Sequence, residues 1–134
     1  MPENNTKTIL IVEDDPMLSL TLSDACKEAG YNVKVANDGE EGLKIALEEK
    51  PVVILLDIMM PKMDGMTVLK NLNAQQPEPK SRVFMFTNVN DVEKISEAIQ
   101  EGAVGYFMKA QTPIKEILSK VKEQMDKSGT SAGR

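Results

Sequence analysis

The feature that most constrains this chain is a set of short, unbroken apolar runs at residues 9–12 (ILIV), 52–56 (VVILL) and 83–86 (VFMF), with weaker ones at 33–36 and 105–108. A strand with one wet face alternates apolar and polar residues, whereas a parallel strand covered on both faces is apolar throughout. Between the runs the spacing becomes helical. Leu18, Leu22, Ala25 and Ala29 make one apolar stripe, and Leu43, Ala46 and Leu47 make a second. Val92, Ile95, Ala98 and Ile99 form another, and Ile114, Ile117, Leu118, Val121 and Met125 form the last. Residues 65–73 read as a shorter helix. Strand and helix therefore alternate five times, which calls for right-handed crossovers and helices on both faces of the sheet. The expected fold class is α/β, a doubly wound (βα)5 five-stranded parallel sheet.

Local punctuation agrees with this order. Asp15–Pro16 and Thr112–Pro113 each read as an N-cap followed by proline at the first helical position. Asp38 with Glu41, and Asn90 with Glu93, have capping-box spacing. Gly30 and Gly102 stand where helix C-caps are expected. Residues 77–81 are the least structured connection. The 134 residues suffice for one domain with a real core, expected over 7–125, with a flexible N-terminus at 1–6 and a flexible C-terminal tail at 126–134.

Composition removes several classes of function. No apolar run approaches the length of a membrane span, and the opening MPENNTKT lacks a signal peptide's apolar segment. Sixteen basic against twenty-one acidic residues, with no basic stripe, argue against a nucleic-acid partner. Cys26 is the only cysteine, so no intramolecular disulfide framework exists, and a cytoplasmic setting is expected. Its register with the first helical stripe points to core packing rather than reactivity. Histidine is absent, which excludes imidazole acid–base chemistry and imidazole metal ligation by these residues.

Chemistry must then come from carboxylates, hydroxyls and lysines. In an open parallel sheet, ligands bind at the carboxyl ends of the strands, near the topological switch point. Glu13, Asp14 and Asp15 follow the first strand, Asp57 the third, Thr87 the fourth and Lys109 the fifth. If the first and third strands are neighbours, Glu13, Asp14 and Asp57 converge. Two like charges ~4 Å apart repel by about 4 kcal/mol at an effective dielectric near 20. Such a cluster protonates, finds a lysine or binds a cation. Lys109 alone cannot balance three carboxylates, and an all-oxygen site points to Mg2+ rather than zinc. A carboxylate beside Mg2+ and a lysine has the ingredients of a phosphoryl acceptor, with Thr87 placed to hydrogen-bond a phosphoryl oxygen. Plainer readings hold elsewhere. Asp15 is a helix cap, Asp64 opens a helix before Gly65, and Met59, Met60, Met63 and Met66 pack the loop. Lysines and glutamates along the helices are solvated faces.

The segments ILIVEDDP, LLDIMMPKMDG, VFMFT and GAVGYFMK together resemble the receiver domain of two-component response regulators, from Lys7 to Met125, and look most like stand-alone, chemotaxis-type receivers. The resemblance implies the flavodoxin-like receiver fold, a doubly wound (βα)5 sheet with strand order 2-1-3-4-5, and makes Asp57 the phosphoacceptor. It makes Glu13 and Asp14 the acidic pair, Asp14 ligating Mg2+ directly and Glu13 acting through water. Met59 would give its backbone carbonyl to the metal, for which Mn2+ can substitute. Thr87 and Lys109 would contact the phosphoryl group, and Tyr106 would be the switch aromatic. The implied activity is regulatory rather than enzymatic. A sensor histidine kinase or histidine phosphotransfer protein phosphorylates Asp57, and the face formed by helix four, strand five and helix five changes for an output protein. Slow self-dephosphorylation resets it. The chain is expected to act without nucleic acid or membrane, as a monomer or weak dimer, by contacting another protein or drawing phosphoryl groups from another regulator.

Three departures from the family pattern stand out. Lys109 is followed by Ala110 where a cis proline is usual, and a cis bond before alanine costs about 2.5–4 kcal/mol, so a trans, differently shaped loop is expected. Asn88 replaces a small residue, and Met59 and Val89 flank the site with apolar side chains. Two other classes fit less well. A phosphatase resembling the haloacid dehalogenase type needs a second Asp where Met59 stands. An FMN-binding flavodoxin needs a phosphate loop where EDDP would repel the ligand. A pseudo-receiver would not need the retained Asp57, Thr87 and Lys109.

Overall fold

The computed structural model describes residues 7–60, 62–87, 92–109 and 111–132. Its elements run β1 (Thr8–Val12), α1 (Pro16–Glu28), β2 (Asn32–Ala36), α2 (Gly39–Glu49), β3 (Val53–Asp57), α3 (Gly65–Gln75), β4 (Arg82–Thr87), α4 (Val92–Gln100), β5 (Gly105–Met108) and α5 (Ile114–Ala132). One five-stranded parallel sheet has the order β2-β1-β3-β4-β5, as expected. The central strands β1, β3 and β4 are buried almost throughout, while the edge strands β2 and β5 are partly exposed. That difference is why the runs at 33–36 and 105–108 are the weaker ones.

Alternate residues of each strand serve opposite layers. Leu10, Val12, Ile54 and Leu56 pack with Ala46 of α2, Leu69 and Leu72 of α3, and Ala98 of α4. Ile9, Ile11, Leu55, Phe84 and Phe86 pack with Leu22 and Cys26 of α1, and with Ile117, Val121 and Met125 of α5. Cys26 is fully buried, and burial pushes its thiol up to about 11, so it is a core residue and not a nucleophile.

The caps show how local chemistry sets the element ends. Asp15 and Asp64 accept hydrogen bonds from the Met17 and Thr67 amides, at 3.0 and 2.9 Å. Asp38 accepts from the Glu41 amide at 2.9 Å, and the Glu41 carboxylate reaches back to the Asn37 amide at 3.0 Å. Gly30 and Gly102 close α1 and α4 in left-handed conformations, with the paired backbone hydrogen bonds of a Schellman motif. Asn90 lies outside the described residues.

Two boundaries and one apolar stripe depart from the sequence reading. The first intrahelical bond of α5 runs from the Ile117 amide to the Pro113 carbonyl, so Pro113, not Thr112, takes the N-cap position. The same helix continues beyond Met125 to Ala132, helped by the Lys122–Asp126 ion pair at 2.9 Å, one turn apart. In α4 only Ala98 of the apolar stripe is buried, while Val92 and Ile99 are 73% and 46% exposed. Polar ties hold this helix to α3. Lys70 pairs with Glu97 at 2.8 Å, and the Asn73 amide donates to the Glu101 carbonyl.

Candidate functional site

Parallel register brings the strand ends level. Val12 lies beside Leu56, Asp57 beside Phe86, and Thr87 beside Met108. The residues that follow β1 and end β3 therefore share one edge of the sheet, and Lys109 reaches the same edge from β5. Carboxylate oxygens of Glu13, Asp14 and Asp57 all lie within 4.8 Å of one another. Glu13 and Asp57 are buried, whereas Asp14 faces solvent.

Lys109 joins the two buried carboxylates. Its ammonium donates to Asp57 Oδ2 at 2.8 Å and to Glu13 Oε2 at 3.0 Å. The Asp15 amide also donates to Glu13 Oε2, at 3.0 Å, so the turn into α1 orients that side chain. Asp57 Oδ1 accepts from the Met59 amide at 3.2 Å. Glu13 Oε1 is different. It lies 2.9 Å from the Lys109 ammonium, yet it is buried and accepts no hydrogen bond. It is compensated by the charge of Lys109, which the same ammonium shares with Asp57, so a second cation at this edge would stabilise both carboxylates further.

The electrostatics follow from these contacts. Burial pushes the Asp57 carboxyl above its ordinary value, against the opposing pull of hydrogen bonds from Lys109 and Met59. Burial likewise raises Glu13, again against Lys109. Burial works to lower Lys109, but its hydrogen bonds to Asp57 and Glu13 outweigh that, and the ammonium is held above its usual range. One ammonium serves two buried carboxylates and an exposed third, so the site carries surplus negative charge. Its donor set is all oxygen, with no softer ligand among the described residues, which suits a hard divalent cation.

The loop after Asp57 is drawn tightly under the strand end. The Gly65 amide donates to the Ile58 carbonyl at 2.8 Å. A Cβ on Gly65 would stand 2.3 Å from the Asp57 carbonyl oxygen, so only glycine allows α3 to start there. Thr87 is buried at the end of β4, where its carbonyl accepts from the Lys109 amide at 2.9 Å. Tyr106 sits away from this cluster. It is 46% exposed on β5 and lines a cavity of about 390 Å³ with Val104, Thr112, Glu116 and Lys120. Ala110, Asn88 and Val89, the positions of the departures noted above, lie outside the described residues.

One residue escaped the sequence reading. Lys94, assigned there to a solvated helix face, lines a cleft of about 450 Å³ with Asp14, Ile58, Met59, Met60 and Asp64. The spacing of α4 alone could not place it, because the signal lies in how α4 sits over the β3–α3 loop.

A (βα)5 sheet in this strand order, with an acidic trio and a bridging lysine at its carboxyl edge, is the architecture of a receiver-type fold. The chain belongs to the response regulator receiver domain family, which it matches over residues 9–122. It is 34% identical to the DNA-binding dual master transcriptional regulator RpaA of Synechocystis, over 85% of this chain and 47% of that protein. It is 35% identical to the alkaline phosphatase synthesis transcriptional regulatory protein PhoP of Bacillus subtilis, over 94% of this chain and 51% of that protein. The chain thus spans about half the length of the curated relatives it matches. Among solved structures it resembles a CheY-like receiver domain protein from Methanospirillum hungatei, at a TM-score of 0.86 and 28% identity, covering 94% of this chain and 98% of that one. The chemotaxis protein CheY4 of Vibrio cholerae aligns at a TM-score of 0.80 and 28% identity, covering 88% and 98%. No helix among the described residues is long and apolar enough to cross a membrane.

Proposed function

We propose that this chain is a phosphorylation-dependent signalling switch in which Asp57 accepts a phosphoryl group from a sensor histidine kinase or a histidine phosphotransfer protein. The single observation that carries the reading is the convergence of Glu13, Asp14, Asp57 and Lys109 at the carboxyl edge of the sheet. Residues 7–125 act as the receiver unit.

In the transfer, an Asp57 oxygen forms a bond to phosphorus while the donor's phosphorus–nitrogen bond breaks. The electron pair leaves with the imidazole nitrogen. Mg2+, when bound, would be held by Glu13, Asp14, Asp57 and the Met59 carbonyl, and supplies positive charge to the phosphoryl oxygens. Lys109 exchanges its bond to Asp57 for one to a phosphoryl oxygen, and keeps the transferred charge paired. Thr87 donates its hydroxyl to another of those oxygens. The exposed Tyr106 ring then favours an inward position, which remodels the face of α4, β5 and α5 toward an output protein. The thin apolar attachment of α4, whose one buried residue is Ala98, supports this, since the solvent-exposed Lys70–Glu97 pair adds little to hold the helix in place.

Phosphorylation with a small acyl phosphate, followed by amide hydrogen exchange, tests the proposal. A phosphoryl adduct should form, and protection should change in α4 and β5 while β1 and β3 stay as they were. An adduct with no change in α4 or β5 would remove the switch, and no adduct would remove the reading as a whole.

A further inference from the structure

The loop between β3 and α3 carries Met59, and two anchors fix it. The near anchor is Gly65, whose amide donates to the Ile58 carbonyl at 2.8 Å and whose missing side chain lets α3 start against the Asp57 carbonyl. The far anchor belongs to another element. Gly39, the buried first residue of α2, abuts the Met63 backbone so closely that a Cβ would overlap the carbonyl oxygen and stand 2.7 Å from the carbonyl carbon. Beside it, one oxygen of Asp38 caps α2 through the Glu41 amide, and the other lies 3.7 Å from the Lys62 ammonium. Lys62 holds a left-handed conformation, at φ 72°, next to Met63, which packs against the core layer containing Ala46 of α2. Between the anchors, the Met59 amide donates to Asp57 Oδ1 at 3.2 Å, which ties this stretch to the acidic cluster.

We propose that the start of α2 is the positioning element of the metal site, and that Gly39 and Lys62 set the β3–α3 loop where it favours a small divalent cation over a larger one. The proposal rests on the reading of the Met59 carbonyl as a Mg2+ ligand beside Glu13, Asp14 and Asp57. Neither Gly39 nor Lys62 touches the ion. Mg2+ demands near-ideal octahedral geometry with short bonds, whereas Ca2+ accepts longer bonds and variable coordination. A carboxylate follows an ion of either size by turning its side chain. A carbonyl on a loop held at both ends cannot, so the position of this loop bears mainly on Mg2+.

Gly39→Ala tests the proposal by displacement. Met63 must retreat from the new methyl by about 1 Å to reach ordinary carbon–carbon contact. Gly65 has no room to yield under the Asp57 carbonyl, so the shift falls on the residues between, Met59 among them. Lys62→Gly tests it by loosening. Glycine adopts positive φ without strain, so folding is not at risk, while the loop gains freedom and loses its ion pair with Asp38. The lost positive charge acts alike on two divalent cations, so the ratio of their affinities isolates geometry.

The experiment measures Mg2+ and Ca2+ dissociation constants by calorimetry with no phosphodonor present, and urea midpoints of the metal-free proteins alongside. Gly39→Ala should weaken Mg2+ binding about tenfold and Ca2+ binding less than about twofold. Lys62→Gly should lower the preference for Mg2+ over Ca2+ about threefold. A merely structural role would lower the urea midpoint and leave that preference at its wild-type value, which would overturn the proposal. Equal losses for the two ions would overturn it as well. If Gly39→Ala does not fold, the preference measured in Lys62→Gly decides alone. No Mg2+ binding by the wild-type chain would overturn the metal reading and this proposal with it, whereas wild-type binding with an unmoved preference in the variants overturns this proposal only.

Discussion

Asp57→Asn is expected to abolish phosphoryl acceptance and, at the same time, to make the metal-free protein more stable. The amide cannot attack phosphorus, which accounts for the first effect. The second follows from the surplus of carboxylates. Burial raises the Asp57 and Glu13 carboxyls above their ordinary values, and Lys109 offsets only part of that cost. A carboxyl raised in the folded state contributes stability that is complete below the unfolded value, near 4, and is lost as pH rises through the folded value. At neutral pH the ionised Asp57 therefore weakens the fold. Removing it leaves Lys109 paired with Glu13, so no buried cation is stranded. The variant should be the more stable at pH 7, with the advantage shrinking toward zero near pH 4. Urea midpoints across that range would show it. A variant less stable than wild type at neutral pH would mean that the Lys109–Asp57 pair outweighs the burial cost.

Lys109→Ala should have the opposite effect on stability and a large effect on rate. Without the ammonium, Glu13 and Asp57 face each other as buried like charges and lose their hydrogen bonds at 3.0 and 2.8 Å. Breaking such a group costs about 2–4 kcal/mol in the metal-free protein, less than a fully enclosed pair because the site opens at the sheet edge. Mg2+ should restore much of the loss, by binding the folded state alone. Phosphorylation should slow by about a hundredfold at saturating Mg2+, the usual cost of removing one preorganised donor to developing charge. Wild-type rates in Lys109→Ala would take the lysine out of the chemistry.

Much of this was legible from the residues because the sheet is parallel. Continuous apolar runs such as ILIV and VVILL report burial on two faces, and parallel strands all deliver their next residue to one edge. Asp57, Glu13, Asp14 and Lys109 could thus be brought together from chain order alone. What resisted reading depends on how elements pack across the fold. The spacing of Val92 and Ile99 announces an apolar stripe, but α4 is fastened by Lys70–Glu97 and Asn73–Glu101, which no periodicity reveals. Lys94 looks like any helix lysine until α4 is set over the loop bearing Met59. The contrast between buried Glu13 and exposed Asp14 was also hidden, because adjacent residues at a strand end point opposite ways. The ion pair of the buried Glu13 Oε1 with Lys109, 2.9 Å away, is likewise a fact of three dimensions only.

Asp57 is proposed to be a metal-assisted phosphoacceptor. Its most direct test is the intact mass of the wild-type chain after exposure to acetyl phosphate, with Mg2+ or with a chelator, followed by peptide mapping. A single phosphoryl adduct that forms only with Mg2+, maps to the peptide containing Asp57 and is missing from Asp57→Asn is the predicted result. An adduct that forms equally well in chelator, or that persists in Asp57→Asn, would contradict it.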